Sequence, residues 1–197
     1  MTHTAQRRRR LAGLGTARDG TAAIELALGF LTFVTMVIGI IEMAMLMLVN
    51  VLVEGGLRDA SRFGITGQTP AGISREATII DMVAQSTLGL VQLDPADITF
   101  LIYPTFDDIG APEPFVDANG NGDFDAGESF TDINGNGQWD PDMGAAGLGG
   151  PGDIVVYRVT YDWAFLTTLI GGLISDDGTI RLTASIAVRN EPFTTGT

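Results

Sequence analysis

The side chains with the clearest chemistry are the acids near the middle of the chain. Residues 107–142 hold ten Asp and Glu residues and no Arg or Lys. Within this block Asp and Asn alternate with small residues, as in twelve-residue loops that bind Ca²⁺ through ligand positions 1, 3, 5, 7, 9 and 12 and turn at a glycine in position 6. A block of like charges repels itself unless a counter-charge arrives. The pattern therefore predicts calcium binding that neutralises the segment and folds it.

The first loop spans residues 117–128 and fits this pattern at every ligand position. We expect Asp123 to contribute its backbone carbonyl and Glu128 a bidentate carboxylate, while Gly122 occupies the sharp turn. The ligands that act through side-chain oxygens, directly or through water, are Asp117, Asn119, Asn121 and Asp125.

A second copy of the pattern begins fifteen residues later, at Asp132. Its twelfth position is Met143, so the loop itself lacks the bidentate carboxylate. We expect Asp142, one position earlier, to substitute for it, so that the second site is weaker than the first or borrows a ligand from its neighbour. Its remaining predicted ligands are Asn134, Asn136, Gln138 and Asp140.

The flanks of both loops are short and contain proline, which excludes the helix-loop-helix arrangement of EF-hands. The segment resembles the tandem calcium loops of dockerins and thrombospondin-type repeats, with Phe124, Phe130 and Trp139 as a small apolar centre. A solvated acidic linker is the competing interpretation, but a linker does not need a glycine at position 6 of both copies. The oxygen ligands favour one or two Ca²⁺ ions, and the neutral Asn ligands predict weak binding, with dissociation constants of about 10⁻⁴–10⁻³ M.

The composition excludes several functional classes. All basic residues are Arg; five of the 11 lie in the first twenty positions, and residues 21–197 hold six Arg against 23 acids. We therefore do not expect nucleic-acid binding, which requires a basic surface. The chain has no Cys and its one His is His3, which excludes thiol chemistry, zinc sites and His-based triads. A hydrolase with paired carboxylates is not predicted, because the clustered acids are explained as metal ligands.

Residues 21–53 form an apolar stretch that predicts a transmembrane helix. At about 1.5 Å per residue, residues 27–48 reach roughly 33 Å, enough for a hydrocarbon core of about 30 Å. The Arg-rich leader before the stretch predicts a single-pass protein of a bacterial inner membrane, with a cytoplasmic N-terminus and a periplasmic or extracellular C-terminal part. The stretch is too long for a cleaved secretory signal. A plain uncleaved signal anchor fits the hydropathy equally well.

The start of this stretch resembles a type IV prepilin processing site. A prepilin peptidase cuts such a site after glycine and leaves Glu as the fifth residue; here Gly20 precedes the cut, Thr21 becomes the first residue and Glu25 is the fifth. Cleavage would create an α-amino group, and Glu25 of a neighbouring subunit would pair with it in an apolar filament core, where an unpaired charge is costly. The alternative is that Glu25 is an interfacial acid in the first helical turn, which the helix macrodipole favours.

Four further strings resemble the TadE family of pilin-like proteins, and they lie at residues 39–42, 57–67, 159–163 and 187–193. The resemblance implies a component of a Flp/Tad-type pilus apparatus that contacts other pilin-like subunits. It covers both ends of the chain but not the acidic middle, where family members have a shorter connection. Glu42 lies within the predicted span, where an unpaired charge is costly. We expect it to contact another pilin-like subunit, against the alternative of a snorkelling acid.

Pattern and resemblance together predict an α+β, type IV pilin-like fold. The expected elements are a first helix that continues to residue 63, a second helix at residues 74–90, strands at residues 98–103, 154–162 and 179–189, and a short helix or loop at residues 164–174. The expected domains are a basic leader at residues 1–20, the span at 21–53, helix and first strand at 54–106, the calcium-loop insertion at 107–150 and the remaining strands at 151–197.

Two functions remain open at this point. The first is a minor pilin-like component of Flp/Tad-type pilus biogenesis and secretion, processed after Gly20, with a calcium-stabilised extracytoplasmic head. The second is an uncleaved, signal-anchored protein that uses the acidic loops for calcium-dependent adhesion. They differ at Gly20, because only the first requires the prepilin peptidase.

Overall fold

The computed structural model describes residues 19–192. These residues belong to two compact units, divided between Met45 and Leu46. Helix α1, Asp19–Gly64, contributes to both units. The Arg cluster of the leader, His3 and the last residue of the string at 187–193 lie outside the described residues.

The first unit consists, as far as it is described, of the α1 residues up to Met45. Its large apolar side chains are exposed, as at Leu26 and Phe33. The hydroxyls of Thr32 and Thr35 donate to the carbonyl oxygens four residues earlier, at 3.0 and 2.9 Å, so these polar groups are satisfied inside the helix. The helix is long and apolar enough to cross a bilayer.

The second unit contains an antiparallel sheet, in which the described residues form four strands in the order β2-β1-β3-β4. The strands are β1 Ile98–Tyr103, β2 Ala145–Ala146, β3 Ile154–Ala164 and β4 Thr179–Arg189. β3 pairs with β4 along its whole length, from Ile154↔Arg189 to Ala164↔Thr179. Alternation is clear in β4, where the inward side chains are shielded and the outward ones are exposed.

Two shorter helices complete this unit within the described residues. Helix α2, Arg75–Ser86, begins after Ser74, whose hydroxyl accepts the Ala77 N–H at 3.0 Å. Helix α3, Thr168–Ile174, lies in the connection between β3 and β4. Short 3₁₀ turns, Pro95–Asp97 and Phe106–Asp108, flank β1 on its two sides.

The main core lies between the helices and one face of the sheet. α1 contributes a single buried stripe, α2 contributes two residues, and the sheet contributes aromatic and β-branched side chains, of which Phe100 and Tyr157 meet edge to face at 5.3 Å. Two glycines of α1 allow close approach: a Cβ on Gly56 would collide with Ser86, and a Cβ on Gly64 would collide with the hydroxyl of Tyr157. The α1 stripe consists of Val49, Val53, Leu57 and Ala60.

A smaller core lies on the opposite face of the sheet. Val156 points away from Tyr157 because side chains alternate along a strand, and it packs with Tyr103 and Met143. Met143 follows the acidic segment directly, so this cluster attaches that segment to the sheet.

The α+β, pilin-like layout predicted from the sequence is confirmed, and most strand limits agree within two residues. The second helix is shorter than predicted and ends at Ser86, because Leu88 and Gly89 both adopt left-handed backbone conformations, with φ of 54° and 76°. β2 was not predicted, and it draws two residues of the expected insertion at 107–150 into the sheet edge. Two alanines carry no alternation from which to predict a strand.

Candidate functional site

The first acidic loop is organised by the carboxylate of Asp117. Its two oxygens accept the backbone N–H groups of Gly120, Asn121 and Gly122, at 2.6, 3.2 and 2.9 Å. The N–H of Gly122 lowers the pKa of Asp117 more than any other cause does, so the carboxylate stays ionised. Gly122 has φ of 86°, a left-handed conformation that explains the glycine at the sharp turn.

The second loop repeats this geometry with a shift of fifteen residues. Asp132 accepts the N–H groups of Gly135, Asn136 and Gly137, at 2.7, 3.2 and 2.9 Å. Gly137 has φ of 79°. The two loops therefore have the same backbone path over their first six positions, although only the first has a glutamate at position 12.

Within each loop the side chains of positions 3, 5 and 9 meet at one point. In the first loop the amide nitrogens of Asn119 and Asn121 donate to Asp125 Oδ2, at 2.6 and 2.8 Å. In the second loop Asn134, Asn136 and Asp140 form the same contacts, with both amides donating to Asp140 Oδ2 at 2.8 and 2.6 Å. Asp123 and Gln138, at position 7, are placed by their backbone N–H groups, which donate to the side chain of position 5 at 2.8 and 2.7 Å.

Glu128 closes the first loop. Its Oε1 accepts the N–H of Ala118 at 2.8 Å, and its Oε2 accepts the N–H of Asp125 at 3.0 Å. The carboxylate at position 12 thus links the backbone at position 2 to the backbone at position 9.

Glu113 closes the second loop in the same way. Its Oε1 accepts the N–H groups of Ile133 and Asn134, at 2.7 and 3.2 Å, and its Oε2 accepts the N–H of Asp140 at 3.2 Å. Ile133 and Asp140 are positions 2 and 9 of that loop. Glu113 is 0% exposed and therefore bridges the second loop from a buried position. It supplies from upstream the carboxylate that Met143 cannot supply.

Asp142 lines one surface pocket with Asn134, Asn136 and Asp140, so it lies next to predicted ligands of the second loop. Its Oδ1 accepts the hydroxyl of Tyr103 at 2.7 Å and the N–H of Gly144 at 3.2 Å, which fastens the end of the segment to the sheet. Burial, followed by the hydrogen bond to Asp142, raises the pKa of Tyr103 to about 12. Asp142 therefore stays a predicted substitute beside the second loop, and Glu113 is a candidate for the borrowed ligand.

The sequence contained a signal for Glu113. The fifteen-residue repeat extends four residues upstream of each loop, as Glu-Pro-Phe-Val-Asp from residue 113 and Glu-Ser-Phe-Thr-Asp from residue 128. Glu128 is therefore both the last ligand position of the first loop and the first residue of the second repeat. In the fold the two glutamates are exchanged: Glu113, which begins the first repeat, closes the second loop, and Glu128, which begins the second repeat, closes the first loop.

An aromatic cluster holds the two loops together. The three aromatic residues predicted to form the apolar centre do meet: Phe124 stacks on Trp139 at 4.6 Å and contacts Phe130 at 5.7 Å. Phe115 joins them, with edge contacts to Phe124 and Trp139 and an antiparallel bridge to Phe130. Trp139 Nε1 donates to the backbone carbonyl of Glu113 at 2.9 Å, so the cluster also positions that residue.

The donor set of both loops fits a hard cation, since every predicted ligand atom is a carboxylate, amide or backbone oxygen. Across residues 19–192, no three Asp, Glu or His side chains are gathered into a ready-made metal cluster. The amides at positions 3 and 5 direct nitrogen toward the position-9 carboxylate, while their oxygens accept the backbone N–H two residues further on. Coordination of a cation by these oxygens would therefore require the position-9 carboxylate and the amides to rearrange around it.

The residues of the predicted processing site lie at the start of α1. Gly20, Thr21 and Glu25 are exposed, and no atom of the described residues outside the helix backbone lies within 4 Å of a Cβ placed on Gly20. Glu42 differs from them: it is 1% exposed and has an interaction partner. Its expected contact with another subunit stays a prediction.

Comparison with known proteins bears on this helix. A family model described as TadE-like protein matches residues 20–62. Neither the curated proteins nor the solved structures compared with the chain give a significant match. The matched residues begin at Gly20, include Glu25 and Glu42, and comprise most of α1 and none of the sheet. Over this helix the chain is similar to the TadE-like family.

Proposed function

We propose that this protein is a minor pilin-like component of a Flp/Tad-type pilus and secretion apparatus in the bacterial inner membrane. The observation that carries the proposal is the TadE-like match over residues 20–62, which falls on an exposed apolar helix at the start of the described chain. The small antiparallel sheet behind this helix supports it, because a long helix followed by such a sheet is the layout of pilin-like proteins.

The proposal includes cleavage after Gly20 by a prepilin peptidase. An exposed Gly20 with open space around it suits access by an endopeptidase. After cleavage, the new amine of Thr21 and the carboxylate of Glu25 lie one helical turn apart on each subunit, so that each can pair with its counterpart on a neighbouring subunit. Such pairing matters in an apolar filament core, since a lone charge there is costly.

The extracytoplasmic head, in this proposal, is stabilised by calcium. The support is the exchange of Glu113 and Glu128 between two loops of identical internal geometry, which leaves each loop with one bridging carboxylate. Calcium would be held by Asp117, Asn119, Asn121, Asp123, Asp125 and Glu128 in the first loop, and by Asp132, Asn134, Asn136, Gln138, Asp140 and Glu113 in the second. Its role would be structural, because it neutralises an acidic segment that has no basic residue of its own.

The N-terminal residue of the mature protein tests the pilin-like function. Intact mass of the membrane-fraction protein should give a chain that starts at Thr21 in cells with the prepilin peptidase and an uncut chain in cells without it. Gly20→Ala is the matched variant and should remain uncut in both strains. A chain that keeps its Arg leader in the presence of the peptidase would instead favour the uncleaved, signal-anchored calcium-dependent adhesion protein.

A further inference from the structure

Two connections of the second unit expose large apolar side chains. The connection at residues 87–94, after α2, carries Leu88, which is 77% exposed, and Leu90. The connection at residues 165–178, which contains α3, carries Leu173, which is 75% exposed, together with Leu166, Leu169 and Ile174. Exposed leucines at this density, on two separate segments, indicate an apolar contact surface.

Both connections lie at the same end of the unit. The far end of the unit is marked by the backbone bond from Glu191 N to Ile65 O, at 3.0 Å, just beyond the C-terminus of α1. α2 runs back from there, and the Ser86 hydroxyl at its other end donates to Leu52 O at 3.2 Å. The connection at residues 87–94 therefore begins level with Leu52 of α1.

The position of the connection at residues 165–178 follows from the pairing of β4 with the rest of the unit. Thr183 of β4 lies beside Glu54 of α1 in one shallow surface pocket. β4 begins four residues earlier, at Thr179, and four strand residues span about 13 Å, the length of about nine helical residues. The start of β4 is thus level with the beginning of the unit at Leu46, and the connection at residues 165–178, which leads into β4, lies at this end of the unit. We call this the near end of the unit.

The chain enters the unit at this near end from the apolar helix. The first α1 residues of the unit, at this same end, expose the apolar side chains Met47, Leu48 and Val51. Asp94, Asp176 and Asp177 are exposed in the same two connections. The acidic loops are attached at the far end, where Tyr103 pairs with Ile154.

We propose that the leucines of residues 87–94 and 165–178 insert into the surface of the same bilayer that α1 crosses, so that the near end of the unit rests in the lipid interface. The occupant is lipid, because the chain enters this end of the unit through α1, the helix proposed to cross the membrane. The proposal rests on the membrane insertion proposed above and adds a second, monotopic contact to it. In the membrane, such a contact would fix the orientation of the calcium loops, away from the lipid.

Site-directed fluorescence tests this contact, since a chain without cysteine accepts a single label at any chosen position. The full-length protein is labelled with a thiol-reactive NBD dye and reconstituted in phosphatidylcholine–phosphatidylglycerol vesicles. A fraction of the lipid carries a nitroxide on its acyl chain. The test positions are Leu169→Cys, Leu173→Cys and Ile174→Cys. Met36→Cys, on an exposed residue of the apolar helix, reports insertion of the span, and Val116→Cys reports the far end.

We expect nitroxide lipid to quench the labels at positions 36, 169, 173 and 174 at least twofold and to leave the label at position 116 unchanged. Quenching at position 36 without quenching at the three test positions would overturn the interfacial contact and leave the span intact. Absence of quenching at position 36 would overturn both. Blue-shifted test labels that are insensitive to nitroxide and depend on the protein-to-lipid ratio would assign the surface to a second copy of the chain and overturn the lipid contact.

Discussion

The acidic loop segment and the sheet core beside it become ordered by opposite means. Of residues 111–143, Glu113 and Met143 are buried, and the loops are held mainly by hydrogen bonds between side chains and the backbone. The core of the second unit buries Val, Leu, Ile and aromatic side chains on three elements. The core therefore depends on apolar area, whereas the loops depend on hydrogen bonds to carboxylates. If the proposed calcium sites exist, the order of the loops should follow the calcium concentration while the core stays folded without it.

Replacement of Glu113 should give the largest effect and separate the two regions most clearly. Glu113→Ala removes a buried carboxylate and leaves three backbone N–H groups without an acceptor, which we expect to cost about 3–5 kcal/mol of unfolding free energy in calcium. Calcium stoichiometry, measured by calorimetric titration of the full chain in detergent, should fall from two ions to one. Glu128→Ala should also remove one ion, from the first loop.

The matched control for Glu113 is Asp123→Asn. It removes one negative charge from the same segment, but position 7 serves through its backbone, and Gln138 is already neutral at that position of the second loop. We expect both ions to be retained. If Glu113→Ala also retained both ions, with Asp142→Ala losing one, the exchange of glutamates would be wrong and the substitute expected from the sequence would hold.

Sequence reasoning found the loops and the sheet but not the exchange that joins the repeats. Strand limits and the α1 continuation were predictable because their signal is local: alternation of apolar residues in β4, and helical spacing up to Gly64. The turn within each loop was predictable because an aspartate organises its own next five residues. The role of Glu113 depends on contacts twenty or more residues along the chain, with Ile133 and Asp140, and local spacing does not determine such contacts.

Adjacent glycines of α1 provide the next test, this time in the scaffold. Gly56→Ala places a methyl group against Ser86 and should lower the unfolding free energy by about 1–3 kcal/mol. A Cβ on Gly55 meets no atom of the described residues outside the helix backbone within 4 Å. Gly55→Ala should therefore raise the unfolding free energy by about 0.5–1 kcal/mol, because alanine favours the helix. Denaturant unfolding with calcium and with EGTA should give the same difference for each variant. A calcium-dependent difference would show that the scaffold and the loops are coupled.

Tyr103 lies at the junction of the two regions, so its replacement should have an intermediate effect. Tyr103→Phe removes the hydroxyl donated to Asp142, which keeps the Gly144 N–H, and should cost about 1 kcal/mol. Because the pKa of Tyr103 is raised to about 12, the folded protein favours the neutral phenol. Its contribution is complete below pH about 10, the usual tyrosine pKa, and is lost as the pH rises toward 12. Stability of the wild type should therefore fall more steeply over this interval than that of Tyr103→Phe.

The smallest effect is expected at the ion pair between Arg181 and Asp162, which tests whether charge pairing as such stabilises this protein. Two bonds of 2.9 and 3.0 Å join the side chains, and the hydrogen bond from Arg181 lowers the pKa of Asp162. Both side chains are exposed, so water and salt screen the pair. Arg181→Ala should leave unfolding at pH 7 unchanged within error, while NMR titration shows the pKa of Asp162 returning toward its usual value. Because this well-formed but exposed pair should contribute so little, a large loss at Glu113 would have to come from burial and from the backbone groups that its carboxylate satisfies.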